Sequence, residues 1–115
     1  MKGHTFHMVP RDYYEAQPIE QNYQPEPMVL GQEDFIHCTN HPEDVVAVGA
    51  RYYLSDPRPF YLLIIDLEKV AAPVRYDAPG ERYPHIYGPL NRDAIIEQRH
   101  LERTPDGHFL APNPA

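Results

Sequence analysis

Cysteine, serine and glycine are scarce in this chain, and their scarcity excludes several kinds of site. The single cysteine, Cys38, rules out an internal disulfide framework and is compatible with a reducing compartment. Cys38 shares its predicted strand face with Ile36, which favours a buried apolar role over that of a nucleophile. Ser55 is the one serine, and it lacks the glycine-flanked elbow of a serine hydrolase. The six glycines are scattered and form no loop that cradles a phosphate.

Positive charge and long apolar runs are also limited. The formal net charge of −7 argues against a surface that binds duplex DNA nonspecifically. Lysine occurs only as Lys2 and Lys69, so most of the positive charge is arginine, which suits planar recognition of phosphate or carboxylate. The longest apolar run, residues 60–66, is too short to cross a bilayer, and no basic-then-apolar leader opens the chain. We therefore expect a soluble, cytoplasmic protein that does not enter the membrane.

Proline, by contrast, is abundant, with 14 residues spread through the chain. Such spacing leaves little room for long helices and favours short strands joined by turns. A length of 115 residues suits a single domain. We expect one domain, 1–115, with a core at about 4–101, an irregular proline-rich loop at 18–32 and a loose tail at 103–115.

Alternating apolar residues and turn signals predict an α+β fold with mainly antiparallel sheet and one or two short helices. Residues 60–66 are apolar on both faces, so this strand is predicted to be central and the most buried. Pro42 in a first turn, with a capping box between Asn40 and Glu43, predicts a helix that runs to about residue 54. The other predicted elements are a short helix at 10–17, strands at 4–9, 35–39, 74–77 and 83–87, and a strand or short helix at 94–101.

The most informative segment is the strand predicted at residues 83–87. Because side chains alternate along a strand, Tyr83, His85 and Tyr87 project from one face, which places a histidine between two phenols. A Gly-Pro pair follows and ends the strand. Binding and catalytic groups tend to collect at strand ends and in the loops beside them.

Two other predicted strands carry polar groups that would join this face. His37 and Thr39 project together just before the predicted helix N-terminus, where backbone amides favour an anion. Thr5 and His7 share one face of the first strand. A cleft lined by these imidazoles and phenols would bind a polar or planar ligand. The structural alternative, for His85 as for the other two histidines, is an imidazole that ties a strand end to a neighbouring carbonyl.

A metal site is not expected. The chain has neither His-Glu-x-x-His nor Cys-x-x-Cys spacing, and adjacent His37 and Cys38 point to opposite strand faces. A metal-dependent hydrolase would require a bound ion. The remaining histidines are expected in solvent, and they are His4, His41, His100 and His108.

Arginine offers three candidate anion contacts: Arg51, Arg75 and Arg82. Arg51 lies late in the predicted helix, where pairing with a carboxylate or covering apolar surface is the alternative. Arg75 lies on the strand that contains Asp77, so an exposed ion pair is its default interpretation.

The order of several motifs resembles that of a known family. His-Met-Val ends the first strand, and the later motifs are Phe-Ile-His-Cys-Thr at 35–39, Arg-Tyr-Tyr at 51–53, Leu-Leu-Ile-Ile-Asp at 62–66, Pro-Val-Arg-Tyr-Asp at 73–77 and Pro-His-Ile-Tyr-Gly-Pro-Leu at 84–90. Over residues 4–101 this pattern is similar to a family of small bacterial proteins catalogued as domain of unknown function 952. The chain departs from the family pattern in its longer loop at 18–32. It also has Glu33-Asp34 where the family usually has an acidic residue followed by glycine.

This resemblance implies an ADP-ribosyltransferase-like fold, in which two splayed antiparallel sheets form a cleft for NAD. His7 would then match the first-strand residue that contacts the ribose in that superfamily. Glu97 is the one late-strand candidate for the catalytic glutamate of the true transferases. Likeness of fold is an analogy and does not establish chemistry.

Two functions from different classes follow. The first is a small enzyme, or an enzyme-like pocket, that binds a nucleotide of the NAD or ADP-ribose type or another polar metabolite, with ADP-ribosyl or phosphoryl transfer as its reaction. His37 and His85 would act as general acid–base or phosphate-binding groups, since imidazole exchanges protons near neutral pH. The second is a non-catalytic binding or interaction module with structural histidines. The expected ligand contacts are His7, Thr39, Tyr83, Tyr87 and Arg51.

Overall fold

A computed structural model describes residues 3–112 and confirms the α+β class, with two antiparallel sheets of three strands each and few, short helices. The strands are β1 (His4–Pro10), β2 (Ile36–His37), β3 (Phe60–Asp66), β4 (Val74–Arg75), β5 (His85–Ile86) and β6 (Ile95–His100). The α-helices are α1 (Arg11–Ala16), α2 (Glu26–Val29) and α3 (Val45–Tyr52). Short 3-10 turns lie at Pro42–Asp44, Leu67–Lys69 and Arg92–Ala94.

The first sheet has β3 at its centre, between β1 and β6, as the apolar run predicts. Leu62 and Leu63 project to opposite faces of β3 and are both buried, so the sheet is covered on both sides. The antiparallel register of β1 places His7 opposite Leu63 and Thr5 opposite Ile65. His7 and Thr5 are therefore buried together with Val9.

The second sheet is smaller, with β5 between β2 and β4. One row of cross-strand neighbours consists of Ile36, Ile86 and Val74, and both isoleucines are fully buried. Because side chains alternate along a strand, the neighbouring row projects away from the core. That outward row is His37, His85 and Arg75.

The strands of the second sheet are shorter than predicted, with two residues each. Backbone bonds continue past these pairs, since the Cys38 amide donates to the Pro84 carbonyl at 3.1 Å. The Tyr87 amide likewise donates to the Pro73 carbonyl at 2.8 Å. Proline has no N–H with which to return a bond, so the regular ladder ends at these positions.

The helix after β2 begins differently from the prediction. The capping box between Asn40 and Glu43 is wrong, because a 3-10 turn precedes α3 and has His41 as its N-cap without a side-chain cap bond. Asn40 instead donates its side-chain amide to the Tyr76 hydroxyl at 2.8 Å. This bond directs the Asn40 amide towards the end of β4 and away from the helix.

Residues 18–32 are more ordered than a coil, in contrast to the expected irregular loop. They contain α2, and Tyr23 within them is fully buried. Tyr23 exchanges two backbone hydrogen bonds with Leu90, each of 2.8 Å, and its ring packs edge-on against Tyr14. This segment is therefore anchored to the core.

The packing of Phe109 differs from the loose tail that the sequence predicts. Its side chain is buried, and its ring meets Phe60 edge-on with centroids 5.3 Å apart. Gly49 on α3 makes room for it, since a Cβ at that position would lie 2.3 Å from the Phe109 ring. One aromatic side chain thus fixes the C-terminal segment against α3 and β3.

Arg103 holds the same segment from another side. Its guanidinium carbon lies 4.3 Å from the centroid of the Phe109 ring. Its N–H groups donate to backbone carbonyls between residues 53 and 58 at 2.5 to 2.9 Å. Residues 103–110 are consequently packed on the domain, and residues 113–115 of the expected tail lie outside the described residues.

Candidate functional site

The structure brings His37 and His85 together on the outward side of the second sheet. The two residues are directly paired across β2 and β5, and their ring centroids lie 5.3 Å apart with the rings at 74°. Arg75 on β4 pairs with His85, so the three side chains form a row across the sheet. The His37 side chain is 50% exposed and the His85 side chain 17% exposed. Solvent therefore reaches both imidazoles.

Two aromatic rings frame the histidine pair. Phe35, two residues before His37, stacks on the His85 ring with centroids 4.1 Å apart and an interplanar angle of 19°. Tyr87, two residues after His85, has its ring centroid 5.2 Å from that of Phe35. We call this surface the histidine face and define it by Phe35, His37, Arg75, Asp77, His85 and Tyr87.

Asp77 orients His85 through a hydrogen bond. The Nδ1 of His85 donates to Asp77 Oδ2 at 2.8 Å, because an ionised carboxylate only accepts. The Tyr87 hydroxyl donates to the same oxygen. Hydrogen bonds from Tyr87 and then His85 lower the pKa of Asp77, and the bond to Asp77 raises the pKa of Tyr87. In its neutral form His85 thus keeps its proton on Nδ1 and presents an unprotonated Nε2.

Glu33 plays the corresponding part for His37. The Nε2 of His37 donates to Glu33 Oε2 at 2.7 Å. The neutral imidazole of His37 therefore presents an unprotonated Nδ1.

His7 is buried beside β2, and both of its ring nitrogens are engaged. Its Nδ1 donates to the backbone carbonyl of His37 at 2.7 Å, so its Nε2 accepts from the Tyr23 hydroxyl at 2.7 Å. Burial lowers the pKa of His7 to about 4, and burial also raises the pKa of Tyr23 well above its ordinary value. A ligand could reach His7 only by displacing one of these bonds, and its ligand contact stays a prediction.

Thr39 joins the two sheets. It exchanges two backbone hydrogen bonds with Phe6, of 2.8 and 2.9 Å. Its side chain is buried, and the Oγ1 hydroxyl donates a hydrogen bond to Asp44 Oδ2 at 3.0 Å. The described bonds of Thr39 are structural, and its contact with a ligand stays a prediction.

Tyr83 lies apart from the histidine pair. It occupies a bend before Pro84 instead of a strand, and 37% of the residue is exposed. Within residues 3–112 its ring makes no contact with the ring of His37 or His85. The predicted sharing of one strand face therefore holds for His85 and Tyr87, and it does not include Tyr83.

Arg82 and Arg51 differ in how their guanidinium groups are used. Arg82 donates two hydrogen bonds to Asp44, of 2.7 and 2.6 Å, and these bonds lower the pKa of Asp44. Arg51 is exposed, and its guanidinium carbon lies 5.3 Å from the Tyr52 ring centroid. The Tyr52 ring lies 6.4 Å from that of His37. Arg51 is thus near the edge of the histidine face, and Arg82 is engaged elsewhere.

Sequence reasoning missed several residues that complete the site. Phe35 and Asp77 each lie two residues from a member of the outward row, so the period-two alternation of a strand could have found them. Glu33 precedes β2 outside any strand, and Tyr52 comes from the end of α3. No local pattern connects these two positions with the histidine pair.

Two surface clefts of the described part lie away from the histidine face. The first, of about 260 Å³, lies against the first sheet, and the second, of about 280 Å³, is lined by residues 99–102 and 110–112. Glu97 lines the first cleft and accepts a hydrogen bond from Arg99, which lowers the pKa of Glu97. The candidate for a catalytic glutamate therefore lies on β6 of the first sheet, away from the histidine face.

Cys38 is buried, and burial raises the pKa of its thiol to about 12. The thiol therefore stays protonated, as its expected apolar role requires. Within residues 3–112 no group of three or more histidine, cysteine, aspartate or glutamate side chains is arranged to hold a metal ion. Over the same residues no helix has both the length and the apolar character needed to span a membrane.

Fold and site together define a class: a two-sheet α+β protein whose smaller sheet carries a pair of histidines, each bonded to a carboxylate. The chain belongs to the family described as Protein of unknown function (DUF952), whose model matches residues 8–98. No curated protein matches this chain.

Solved structures of protein CC0527 from Caulobacter crescentus are similar to this chain. The crystal structure of its double mutant has a TM-score of 0.75 and 21% sequence identity, with 93% of each chain covered. The crystal structure without these mutations has a TM-score of 0.75 and 20% identity, again with 93% of each chain covered. The solution NMR structure has a TM-score of 0.69 and 20% identity, with 91% of this chain and 90% of that chain covered. At this identity the likeness establishes the shared fold.

Proposed function

We propose that the histidine face binds a nucleotide of the NAD or ADP-ribose type, or another polar metabolite, and that its two histidines exchange protons with that ligand. The observation that supports this most is the pair itself. The ring centroids of His37 and His85 lie 5.3 Å apart, and each imidazole is hydrogen-bonded to a carboxylate through one ring nitrogen. His37 is half exposed and His85 is partly exposed. Within residues 3–112 their other nitrogens, Nδ1 of His37 and Nε2 of His85, have no hydrogen-bond partner and are available to a ligand.

Two imidazoles at this distance suit general acid–base chemistry. In phosphoryl transfer, one neutral imidazole takes the proton of the attacking hydroxyl, and the other, protonated, gives a proton to the leaving oxygen. In ADP-ribosyl transfer, one imidazole takes the proton of the acceptor as the glycosidic bond to nicotinamide breaks. The hydrogen bond from His85 to Asp77 stabilises the imidazolium that forms in either case.

The aromatic side chains suit a planar group on the ligand. Phe35 already stacks on His85, and Tyr52 lies at the edge beside His37. A nicotinamide or adenine ring would pack against these rings and displace water from them. Arg51 lies over Tyr52 and would meet a negatively charged part of the same ligand.

An ADP-ribosyltransferase-like arrangement of the fold is part of this proposal. Two antiparallel sheets agree with such an arrangement. A location in the cytoplasm, which is a reducing compartment, would give the protein access to such a nucleotide. The proposal relies on the histidines and not on a glutamate, because Glu97 lies on the other sheet. The rival function is a non-catalytic binding module with structural histidines, and the position of Glu97 on the other sheet favours it.

Calorimetric titration with ADP-ribose and with NAD tests the proposal. The wild-type protein is expected to bind at least one of them, and His85→Ala is expected to weaken that binding about tenfold or more, through loss of a hydrogen bond to a charged group. His100→Ala is the matched control, because His100 is an exposed histidine on β6. Equal affinity of His85→Ala and wild-type protein would refute the assignment of His85.

A further inference from the structure

The guanidinium of Arg75 differs from most others in the molecule, because the fold does not use its N–H groups. Within residues 3–112, Arg75 makes neither a hydrogen bond nor an ion pair to the protein. Its guanidinium carbon lies 5.0 Å from the centroid of the Tyr87 ring. Six other arginines donate to a carboxylate or a backbone carbonyl, namely Arg11, Arg58, Arg82, Arg92, Arg99 and Arg103.

The position of Arg75 places this unused group in line with the histidine pair. Arg75 is the cross-strand neighbour of His85, and His85 is the cross-strand neighbour of His37. Adjacent strands lie about 4.8 Å apart, so the row of three side chains spans about 10 Å on one side of the sheet. The guanidinium of Arg75 lies over the face of the Tyr87 ring, and this cation–π contact keeps it beside the row.

Neither carboxylate of the histidine face forms a hydrogen bond with Arg75, although the positive charge of Arg75 helps to lower the pKa of Asp77. Asp77 is two residues away on the same side, yet its Oδ2 accepts from His85 and Tyr87. Glu33 accepts from His37 at the far end of the row. Both carboxylates are thus directed at imidazoles, and the planar N–H groups of Arg75 remain for an external acceptor.

We infer that Arg75 binds a phosphate group of the ligand, so that the substrate class of the histidine face is a phosphorylated metabolite. Guanidinium binds phosphate oxygens through two parallel N–H bonds, and neighbouring imidazoles add further polar contacts to the same group. This inference rests on the proposed function and adds to it the group that determines specificity. A neutral nucleoside would make the aromatic contacts and miss the contact with Arg75.

Calorimetry with ADP-ribose and adenosine as the two probes tests this inference. Wild-type protein is expected to bind ADP-ribose more tightly than adenosine. Arg75→Ala is expected to raise the Kd for ADP-ribose about 10- to 100-fold and to leave the Kd for adenosine unchanged. Arg75→Lys keeps the charge without the planar N–H pair, so its Kd for ADP-ribose is expected to lie between those of wild-type protein and Arg75→Ala. Arg11→Ala is the control, because Arg11 already donates to Asp12 on α1.

The possible outcomes separate the two proposals. If Arg75→Ala binds ADP-ribose as tightly as wild-type protein while His85→Ala does not, the inference about Arg75 is overturned and the proposed function stands. If wild-type protein binds neither of these probes and does not bind NAD, both are overturned. Arg75 is exposed, so its substitution is expected to leave the melting temperature unchanged, and this measurement accompanies each titration.

Discussion

His85→Asn is expected to lower the rate of ADP-ribosyl or phosphoryl transfer about 10²- to 10⁴-fold, which is the usual contribution of a general acid or base. Asparagine places its amide nitrogen near the position of the histidine Nδ1, so it can still donate to Asp77. It has no group in place of the unprotonated Nε2. The variant therefore removes the reacting nitrogen and keeps the hydrogen bond to Asp77. The measurement is chromatographic quantification of substrate consumed, with NAD as substrate.

His37→Gln is the complementary variant, and His100→Asn is the control. The glutamine amide can still donate to Glu33, as the histidine Nε2 does, but no atom replaces the unprotonated Nδ1. A similar loss of rate in both variants, with no loss in His100→Asn, is the expected pattern. Full activity in His85→Asn and His37→Gln would show that neither histidine takes part in the reaction.

The stability of the protein is expected to fall as the pH is lowered from about 6.5 to about 4, through His7. The pKa of His7 is about 4 in the folded protein because the side chain is buried, whereas an exposed histidine titrates near 6.5. Between these values the unfolded chain binds the proton and the folded chain does not, so acid favours unfolding. The His7 contribution is complete above pH 6.5 and decreases by about 3 kcal/mol down to pH 4.

Urea denaturation at pH 7.5 and pH 4.5 measures this effect, with His7→Gln as the reference. Glutamine does not titrate and can still bond to the His37 carbonyl and the Tyr23 hydroxyl, as His7 does. The wild-type protein is expected to lose about 2–3 kcal/mol more than His7→Gln between the two pH values. His100→Gln is expected to lose as much as wild-type protein, because His100 is exposed. An equal loss in His7→Gln would contradict the buried, neutral state of His7.

Strand periodicity predicted which side chains of the second sheet face outward. His85 and Tyr87 project together, while Ile86 between them is fully buried, as alternation requires. Alternation failed at Tyr83 because the chain bends before Pro84 and the strand begins later. The pairing of His37 with His85 joins strands 48 positions apart in the sequence, and no local pattern specifies such a pairing.

Burial was harder to predict than strand direction. The first strand has polar residues on both faces, and only the register with β3 decides that His7 is inside. The C-terminal segment has the proline and glycine of a loose tail, yet Phe109 fits where Gly49 lacks a side chain. Such packing depends on a contact between two single residues that are far apart in the sequence, so composition cannot reveal it.

The most direct test of the histidine face is a nitrogen NMR spectrum of the imidazole rings at pH 8.5, before and after addition of ADP-ribose. In the free protein, His85 is expected to carry its proton on Nδ1 and His37 on Nε2, as their carboxylate partners require. The unprotonated nitrogens, Nε2 of His85 and Nδ1 of His37, are expected to shift on addition of ADP-ribose, while those of His100 do not. Opposite tautomers, or rings that do not respond to ADP-ribose, would contradict the claim that these two nitrogens together form a ligand site.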